Sequence, residues 1–402
     1  MSASSTDQVT VVHDKREHPA GSGTVVLLVV TALFVLMQLY AAIPLIAPVG
    51  AALGAHVTFA LSTVFSVCYA TGFLIWGPLA DQYGRRRILL IGLAALTVAT
   101  IACGLAASVP ALAVLRGVQG LTAASFAPAA LAYLAEATPP RLRASAIGAM
   151  STAFLVAGIA GQVLASTITL ALGWTWVFIL SGIVLGFCLI GVAVLMAEPS
   201  QRQSGGGVSL VRRFAAVGRV AARPAVLLLS AAHLTLLLSF VAMYTGLGPH
   251  LDALGLDASQ VIWLRLAGLP GMFATLLAGV LARRLGVAGV ARAGFALAGV
   301  GLLLEAVLSG TLIGTAAASL VFVTGVALAV PSMITLFGET AAPNRAGGMA
   351  LNGFVLFLGA SLGPLTAHLR LDFPILLVAL AALAGLAVAS LTGFARLTRA
   401  NA

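Results

Sequence analysis

The residues of this sequence that could do chemistry are a few ionisable and amide side chains inside long apolar segments. They are Gln38, Arg116, Gln119, His233, Arg265, Glu305 and Asn352. An ionisable group is costly inside an apolar segment, so the charged members are candidates for ligand contact or proton transfer. Histidine changes its charge near neutral pH, and Glu305 is the only carboxylate within any of these segments. The set therefore offers hydrogen bonding and proton transfer.

The motifs of soluble enzymes and of metal sites are absent from the sequence. Lys15 is the only lysine, and no glycine-rich loop precedes it, which excludes a Walker-type ATP site. There is no HExxH motif and no GxSxG motif. Cys68, Cys103 and Cys188 lie within apolar segments and show neither disulfide nor metal-ligand spacing. We therefore expect no enzymatic activity, no cofactor and no metal ion.

The composition indicates which elements position these side chains. Of 402 residues, 61% are hydrophobic and 8% are charged, whereas about a quarter of a soluble domain is charged. The apolar runs are continuous over about twenty residues, as in spanning helices, and lack the shorter alternating pattern of a barrel. The predicted fold class is therefore an all-α membrane protein, with the lipid bilayer as its surroundings.

The apolar runs predict twelve spanning helices in two groups of six. Their ranges are 24–48, 57–80, 87–107, 110–134, 144–169, 173–197, 225–248, 259–282, 288–308, 311–336, 346–369 and 373–395. Pro270 predicts a kink in the eighth. A glycine-containing polar stretch separates the groups and is typical of a linker. The predicted organisation is a tail at 1–23, bundles at 24–197 and 225–395, a linker at 198–224 and a tail at 396–402.

The basic residues lie almost entirely on one side of the predicted spans. Of the 21 lysines and arginines, eighteen fall on one side, Arg370 alone falls on the other, and Arg116 and Arg265 lie inside spans. Short loops rich in lysine and arginine stay in the cytoplasm. We therefore expect both termini in the cytoplasm, and we attribute the net charge of +10 to topology rather than to nucleic-acid binding.

A polar loop between predicted spans 2 and 3 carries the most specific motif. Its sequence is Gly77-Pro-Leu-Ala-Asp81-Gln-Tyr-Gly84-Arg85-Arg86-Arg87. Its glycines permit a tight turn, and its carboxylate can accept hydrogen bonds from helix N-terminal amides or pair with arginine. The loop resembles the signature of the major facilitator superfamily, Gly-x-Leu-Ala-Asp-Arg-x-Gly-Arg-Arg/Lys, with Gln82 in place of the first arginine. The resemblance implies two pseudo-symmetric bundles of six helices.

The two predicted halves contain a degraded repeat. The loop recurs as Gly279-Val-Leu-Ala-Arg283-Arg-Leu-Gly286, in which arginine replaces the aspartate. Four further residues, Pro128, Glu136, Arg141 and Ala144, recur as Pro331, Glu339, Arg345 and Ala346. The offset stays between 202 and 204 residues, as expected for parallel repeats related by an axis along the membrane normal.

Charged residues at the predicted cytoplasmic ends resemble the charge network of the superfamily. The network residues are Gly77, Asp81, Gly84, Arg85, Glu136, Arg141, Glu339 and Arg345. By this resemblance they form a conformational latch that holds the two halves together when the protein faces outward. The alternative is a set of solvated loop charges. We interpret Glu136 with Arg141, and Glu339 with Arg345, as pairs because they recur in both halves.

The polar residues of spans 1, 4 and 7 suggest a lined cavity. Arg116 and Gln119 share one helix face and resemble the fourth-helix motif Arg-x-x-Gln-Gly, which is associated with coupling in proton antiporters. The alternative is an arginine bound to backbone carbonyls for packing. His233 lies about 14 Å into its span and is either a proton carrier or a neutral core histidine. With Gln38 and Gln119 it could form a polar ring around an apolar pocket.

Arg265 and Glu305 lie nearer the outer ends of spans 8 and 9. Side chains that reach the interface, or an ion pair between the two, would explain them without any function. If an acid carries a counter-transported proton, Glu305 is that acid, because no other span contains one. Span 1 lacks the acid that many proton-coupled exporters of the superfamily have.

The resemblance covers nearly the whole chain and is closest to the bacterial drug and sugar efflux branch. It implies a secondary transporter of the inner membrane, a monomer that exports small, largely apolar substrates by alternating access and proton antiport. A sugar or metabolite transporter is the first alternative, and more convergent polar and aromatic groups in the cavity would favour it. A non-transporting membrane sensor or partner protein is the second, and an added soluble domain would favour that.

Overall fold

The computed structural model describes residues 21–197 and 210–400, and within them twelve helical spans are long and apolar enough to cross a bilayer. Spans 1 to 12 are Ser22–Tyr40, Phe59–Tyr83, Arg85–Gly104, Val109–Ala137, Arg141–Leu172, Trp174–Leu195, Pro224–Ala253, Ser259–Leu285, Val287–Leu308, Leu312–Thr340, Arg345–Leu369 and Phe373–Arg399. The predicted all-α membrane fold is confirmed. Most of the predicted N-terminal tail, and residues 198–209 of the predicted linker, lie outside the described residues.

The spans differ from the prediction mainly at their ends. Span 7 continues to Ala253 and span 12 to Arg399, beyond the predicted ends at 248 and 395. Polar residues can remain helical at the end of a span because their side chains reach water while the backbone bonds continue. The predicted first span is divided into helices Ser22–Tyr40 and Ala42–Leu53. Pro44 explains the division, since it has no N–H to donate to the carbonyl four residues earlier.

Equivalent helices of the two halves begin in the same way. Gly84 precedes span 3 with φ of 98°, and Gly286 precedes span 9 with φ of 70°, a backbone region that favours glycine. Ser108 caps span 4 and Thr311 caps span 10, each accepting from the amide N–H three residues later. At these points the repeat in the sequence is also a repeat in structure.

Span 8 is interrupted around Pro270, which confirms the predicted kink. It consists of helices Ala258–Ala267, Leu269–Met272 and Thr275–Leu285. The first of them starts with a capping box in which the side chains of Asp257 and Gln260 satisfy each other's backbone amides. Hydrogen bonding, chiefly from Ser259, holds the pKa of the exposed Asp257 carboxyl below its usual range.

The two halves meet along spans 2 and 11 and along spans 5 and 8. We call the end of the bundle with Arg85 and Arg284 the arginine-rich end, and the other end the opposite end. Helix Ala42–Leu53 contacts span 7 at the opposite end. At the arginine-rich end, helix Leu210–Ala221 of the predicted linker packs against spans 11 and 2, with Val220 buried. The linker region thus contacts both halves.

Aromatic side chains fill the middle of the interface between the halves. Tyr69 and Phe73 of span 2 contact Phe357 of span 11, with ring centroids 4.4 and 5.3 Å apart. Tyr40 of span 1 contacts Phe240 of span 7 at 5.6 Å. Such pairs add stability beyond the area that they bury, so they favour the closed contact between the halves in this state.

The backbone of span 11 also lies directly against span 2. A Cβ atom added to Gly353 would stand 2.0 Å from the Phe73 ring, so a larger residue there would require the ring or the helix to shift. Two hollows among the described residues lie at the surface. One of about 740 Å³ is lined by Pro224, Leu228 and Gly393, and the other, of about 470 Å³, adjoins the loop after helix Ala42–Leu53.

Candidate functional site

Arg116 on span 4 is the centre of a buried polar cluster in the first half. Its side chain is 0% exposed, and its Nε donates to the Leu61 carbonyl at 2.6 Å. Its Nη1 donates to Gln119 Oε1 at 2.6 Å and its Nη2 to the Gln38 carbonyl at 3.1 Å. The guanidinium carbon lies 4.2 Å from the centre of the Phe65 ring. Acceptors from spans 1, 2 and 4 therefore hold the charge.

The two glutamines extend this cluster to span 3. Gln119 Nε2 donates to Gln38 Oε1 at 3.2 Å and to Thr100 Oγ1 at 2.9 Å. Gln38 Nε2 donates in turn to the Phe34 carbonyl at 3.1 Å. Buried polar networks with most groups satisfied fix the relative position of the helices that carry them. These contacts match the packing role that the sequence left open for Arg116 as an alternative to coupling.

His233 and Asn352 form a separate buried pair in the second half. Asn352 Nδ2 and His233 Nε2 are 2.9 Å apart, which joins spans 7 and 11. His233 is 0% exposed, and its Nδ1 has no hydrogen-bond partner among the described residues. The suggested single ring of Gln38, Gln119 and His233 is therefore not formed by these hydrogen bonds. The glutamines bond to each other, and the histidine bonds to Asn352.

Arg265 of span 8 reaches across the interface to the first half. Its Nη1 donates to Ser166 Oγ of span 5 at 2.6 Å, while its Nε has no hydrogen-bond partner among the described residues. The residue is 5% exposed and therefore buried within the protein. No salt bridge within the described ranges joins it to Glu305, so the ion pair offered as one non-functional explanation is not formed in this state.

Glu305 of span 9 is a buried acid whose carboxylate has no hydrogen-bond partner in the described chain. It is 0% exposed, and both of its carboxylate oxygens are without a hydrogen-bond partner there. On span 7, the hydroxyl of the buried Tyr244 lies 3.4 Å from Ser319 Oγ of span 10. A buried acid with no fixed partner can take up or lose a proton without breaking an existing bond.

The loop network at the arginine-rich end is only partly formed as predicted. Arg85 donates to Asp81 and, at 3.1 Å, to Glu136 Oε1. Glu136 is thus bonded to Arg85 at the start of span 3, and no salt bridge within the described ranges joins it to the exposed Arg141. In the described ranges, Glu339 and Arg345 form no salt bridge either.

The backbone requires only one of the two glycines in this network. Gly84 has the positive φ that starts span 3, whereas a Cβ atom on Gly77 would meet nothing within 4 Å. The turn therefore requires glycine at Gly84 only.

Three residues around this site were not identified from the sequence. Tyr244, Ser166 and Ser319 are uncharged, and burying them inside a span costs less free energy than burying a charge. Composition alone therefore does not single them out as functional. Ser319 lies 203 residues after Arg116, which is the offset of the repeat. The repeat could therefore have identified Ser319 as the counterpart of Arg116. No group of three or more His, Cys, Asp or Glu within 21–197 and 210–400 could hold a metal ion. The arrangement offers hydrogen bonding and proton transfer.

Comparison with known proteins gives one family and several partial relatives. A family model described as Major Facilitator Superfamily matches residues 28–364. Multidrug resistance protein 3 of Bacillus subtilis is 32% identical over 127 residues, 31% of this chain and 25% of that protein. The tetracenomycin C resistance and export protein of Streptomyces glaucescens is 32% identical over 133 residues, 33% of this chain and 24% of its own length.

A third relative has a similar extent. The multidrug export protein EmrB of Haemophilus influenzae is 31% identical over 140 residues, which are 35% of this chain and 28% of that protein. The chain thus matches only about a quarter of the length of each of these curated relatives.

Proposed function

Because the chain belongs to the major facilitator superfamily, we propose that it is a secondary transporter that exports small, largely apolar compounds in exchange for protons. The two six-helix halves alternate access to a central site by rocking against each other. The names of three relatives, which describe multidrug resistance or export, support the direction and the substrate class.

The surface between the halves supports an apolar substrate. Tyr69, Phe73, Phe357 and Phe240 contribute aromatic faces there, and the His233–Asn352 pair adds a small polar group. Ligand sites are mostly apolar and aromatic with a few placed polar groups. Opening of the halves would expose these rings to a compound that enters between them. A sugar would need more polar groups than this surface offers.

In this proposal, proton coupling rests on the surroundings of Glu305. It is fully buried, and both carboxylate oxygens lack a partner in the described structure. A charged carboxylate is costly in such surroundings, and access to water or to a hydrogen-bond donor would lower that cost. His233 is the second candidate, but its ring is already bonded to Asn352.

The orientation follows from the distribution of arginines. We place the arginine-rich end in the cytoplasm of the bacterial inner membrane, with both termini on that side. A cysteine in place of Arg87 should then be inaccessible to a membrane-impermeant maleimide in intact cells and accessible in inverted vesicles. Labelling in intact cells would reverse the topology.

The test of the function is uptake by inverted vesicles of a panel of dyes, antibiotics and sugars. We expect uptake of apolar dyes and antibiotics that a protonophore abolishes. Glu305→Gln should remove the response to the proton gradient, whereas His233→Ala should retain it. Uptake that ignores the protonophore would reject antiport, transport of sugars alone would reject the substrate class, and no transport at all would favour a sensor or partner protein.

A further inference from the structure

One face of span 5 is in contact with the second half over two helical turns. Ile159 Cδ1 of this span lies 3.0 Å from the position that a Cβ atom on Gly268 of span 8 would take. Two turns further along, Ser166 Oγ accepts a hydrogen bond from Arg265 Nη1 at 2.6 Å. Span 5 and the first helix of span 8 pack against each other in this region. These contacts identify the face of span 5 that the second half covers.

The same face of span 5 has two further polar side chains. Gln162 lies four residues before Ser166, and Thr169 lies three residues after it, so all three share one side of the helix. Gln162 Nε2 donates to the Gly158 carbonyl of its own helix at 2.7 Å. Gln162 Oε1 and Thr169 Oγ1 are buried and have no hydrogen-bond partner among the described residues. Because buried polar atoms are normally bonded, these atoms are available to a ligand.

Arg265 faces this side of span 5 with a charge that no acid neutralises. It is 5% exposed, and its Nε has no hydrogen-bond partner in the described chain. Asp252 and Asp257 at the same end are exposed, and no salt bridge within the described ranges joins either of them to Arg265. The bond to Ser166 uses Nη1, whereas Nε belongs to the other edge of the planar guanidinium, which binds a carboxylate through two parallel bonds.

An aromatic surface lies one step along the same face of span 5. A Cβ atom on Gly158 would stand 3.2 Å from Phe240 Cζ of span 7. The Phe240 ring in turn contacts the Tyr40 ring of span 1 at 5.6 Å. Gly158 lies eight residues before Ser166, which corresponds to about 12 Å along the helix. A ligand of this length can therefore place an aromatic group at Phe240 and an acidic group at Arg265.

We propose that Arg265 is the anion-binding residue of the substrate site and that the exported compounds are apolar, aromatic molecules with one carboxylate. The inference rests on the proposed export function and narrows its substrate class. Ser166 belongs to the first half and Arg265 to the second, so their contact widens when the halves separate. The substrate carboxylate then accepts from Nε and Nη2 of Arg265, and the hydroxyls of Ser166 and Thr169 donate to it from the other half. The carboxylate stays ionised throughout.

The experiment compares three pyrene probes that differ only at the end of a butyl chain. They are the anion pyrenebutyrate, the neutral pyrenebutyramide and the cation pyrenebutylamine. Fluorescence measures their binding to the purified full-length protein in nanodiscs of uncharged lipid, and protein-free nanodiscs give the background. A hydrogen-bonded charge contact is worth about ten- to a hundredfold in affinity. We therefore expect the parent protein to bind the carboxylate at least about tenfold more tightly than the amide, and the amine least tightly.

Substitution of Arg265 tests the source of this preference. Arg265→Gln should weaken carboxylate binding by about tenfold or more and leave amide binding unchanged. Arg265→Lys should give an intermediate affinity, because an ammonium group supplies the charge without the two parallel bonds. Arg370→Gln is the matched control, since it removes an exposed arginine at the same end of the bundle, and it should leave the preference unchanged.

A second pair of variants tests the site without removing the arginine. Ser166→Asp places a carboxylate of the protein next to Arg265 Nη1, so it should compete with the ligand and abolish the preference for pyrenebutyrate. Ser166→Asn has the same size but no charge, and it should retain the preference. This pair decides the question if Arg265→Gln does not fold.

The outcomes separate this inference from the proposed function. Equal binding of the three probes, equal losses in Arg265→Gln and Arg370→Gln, or a retained preference in Ser166→Asp would each overturn the anion site. Export of apolar compounds would stand in all three cases. If the parent binds none of the probes, the anion site is also overturned. The vesicle panel then decides the function, and the absence of any transport there would overturn export as well.

Discussion

Arg116 on span 4 of the first half and Glu305 on span 9 of the second are both fully buried ionisable residues, and their surroundings are opposite. By the repeat, Arg116 corresponds to Ser319, and Glu305 corresponds to Cys103, at offsets of 203 and 202 residues. Arg116 has an acceptor for each of its three nitrogens, whereas Glu305 has no donor among the described residues. The same framework thus encloses a satisfied charge in one half and an unsatisfied one in the other.

The difference indicates what each charge contributes. The first half surrounds Arg116 with Gln119, Gln38 and two backbone carbonyls, and these bonds connect four spans. In the second half, the position that corresponds to Gln119 is Phe322, which brings no polar group. Removal of the first charge should therefore be seen in stability. Removal of the second should be seen in the response to protons.

The largest expected effect is the loss of stability in Arg116→Met. Three buried acceptors would lose their donor, which should lower the free energy of unfolding by about 3 kcal/mol or more. Thermal unfolding in detergent and the yield of monodisperse protein measure this. Arg399→Met, at an exposed arginine, is the matched control and should change little. Equal losses in both variants would contradict the structural role of Arg116.

Glu305→Gln should lower proton-driven transport while leaving the stability of the protein nearly unchanged, whereas Arg116→Met should mainly lower stability. We expect unfolding within about 1 kcal/mol of the parent, because no hydrogen bond is lost from the described state. Proton-driven uptake should fall to the level seen with a protonophore. Parallel measurements of thermal unfolding and vesicle uptake check both parts. A strongly destabilised variant would show that the carboxyl has a bonding role in the fold.

Gln119→Leu should have a smaller effect, confined to stability. The variant loses the bonds to Arg116, Gln38 and Thr100 but leaves the arginine bonded to two carbonyls. We expect unfolding to become easier by about 1–2 kcal/mol, with the response of vesicle uptake to a protonophore unchanged. A lost response would assign the Arg116 cluster to coupling after all, as the resemblance of its motif implies.

The smallest effect is expected when an acid is placed at the matching position of the first half. Cys103 lies 3.6 Å from Gln119 Oε1 and interacts with Arg116, so an aspartate there would have a cationic partner at once. In the Glu305→Gln background, Cys103→Asp should therefore not restore proton-driven uptake. Restoration would show that any acid at this depth suffices and that isolation from partners is unimportant.

The sequence predicted the spans and the candidate charges well, because both depend on local composition. Most span ends agree within a few residues, and every ionisable residue singled out inside a span proved to be buried. Partners were harder to predict. Glu136 bonds to Arg85 rather than to Arg141, because the choice depends on where two distant helix ends meet. The isolation of Glu305 likewise depends on neighbours from three other spans, which no spacing along the chain specifies.

Gly353 has a practical consequence for the study of this protein. Because its backbone lies against the Phe73 ring, the size of the residue at this position limits how closely spans 2 and 11 can approach. Alanine, serine and valine at 353 would form a graded series of spacers at mid-membrane. Such variants would measure how far the contact between spans 2 and 11 can widen before the packing of the two halves is lost.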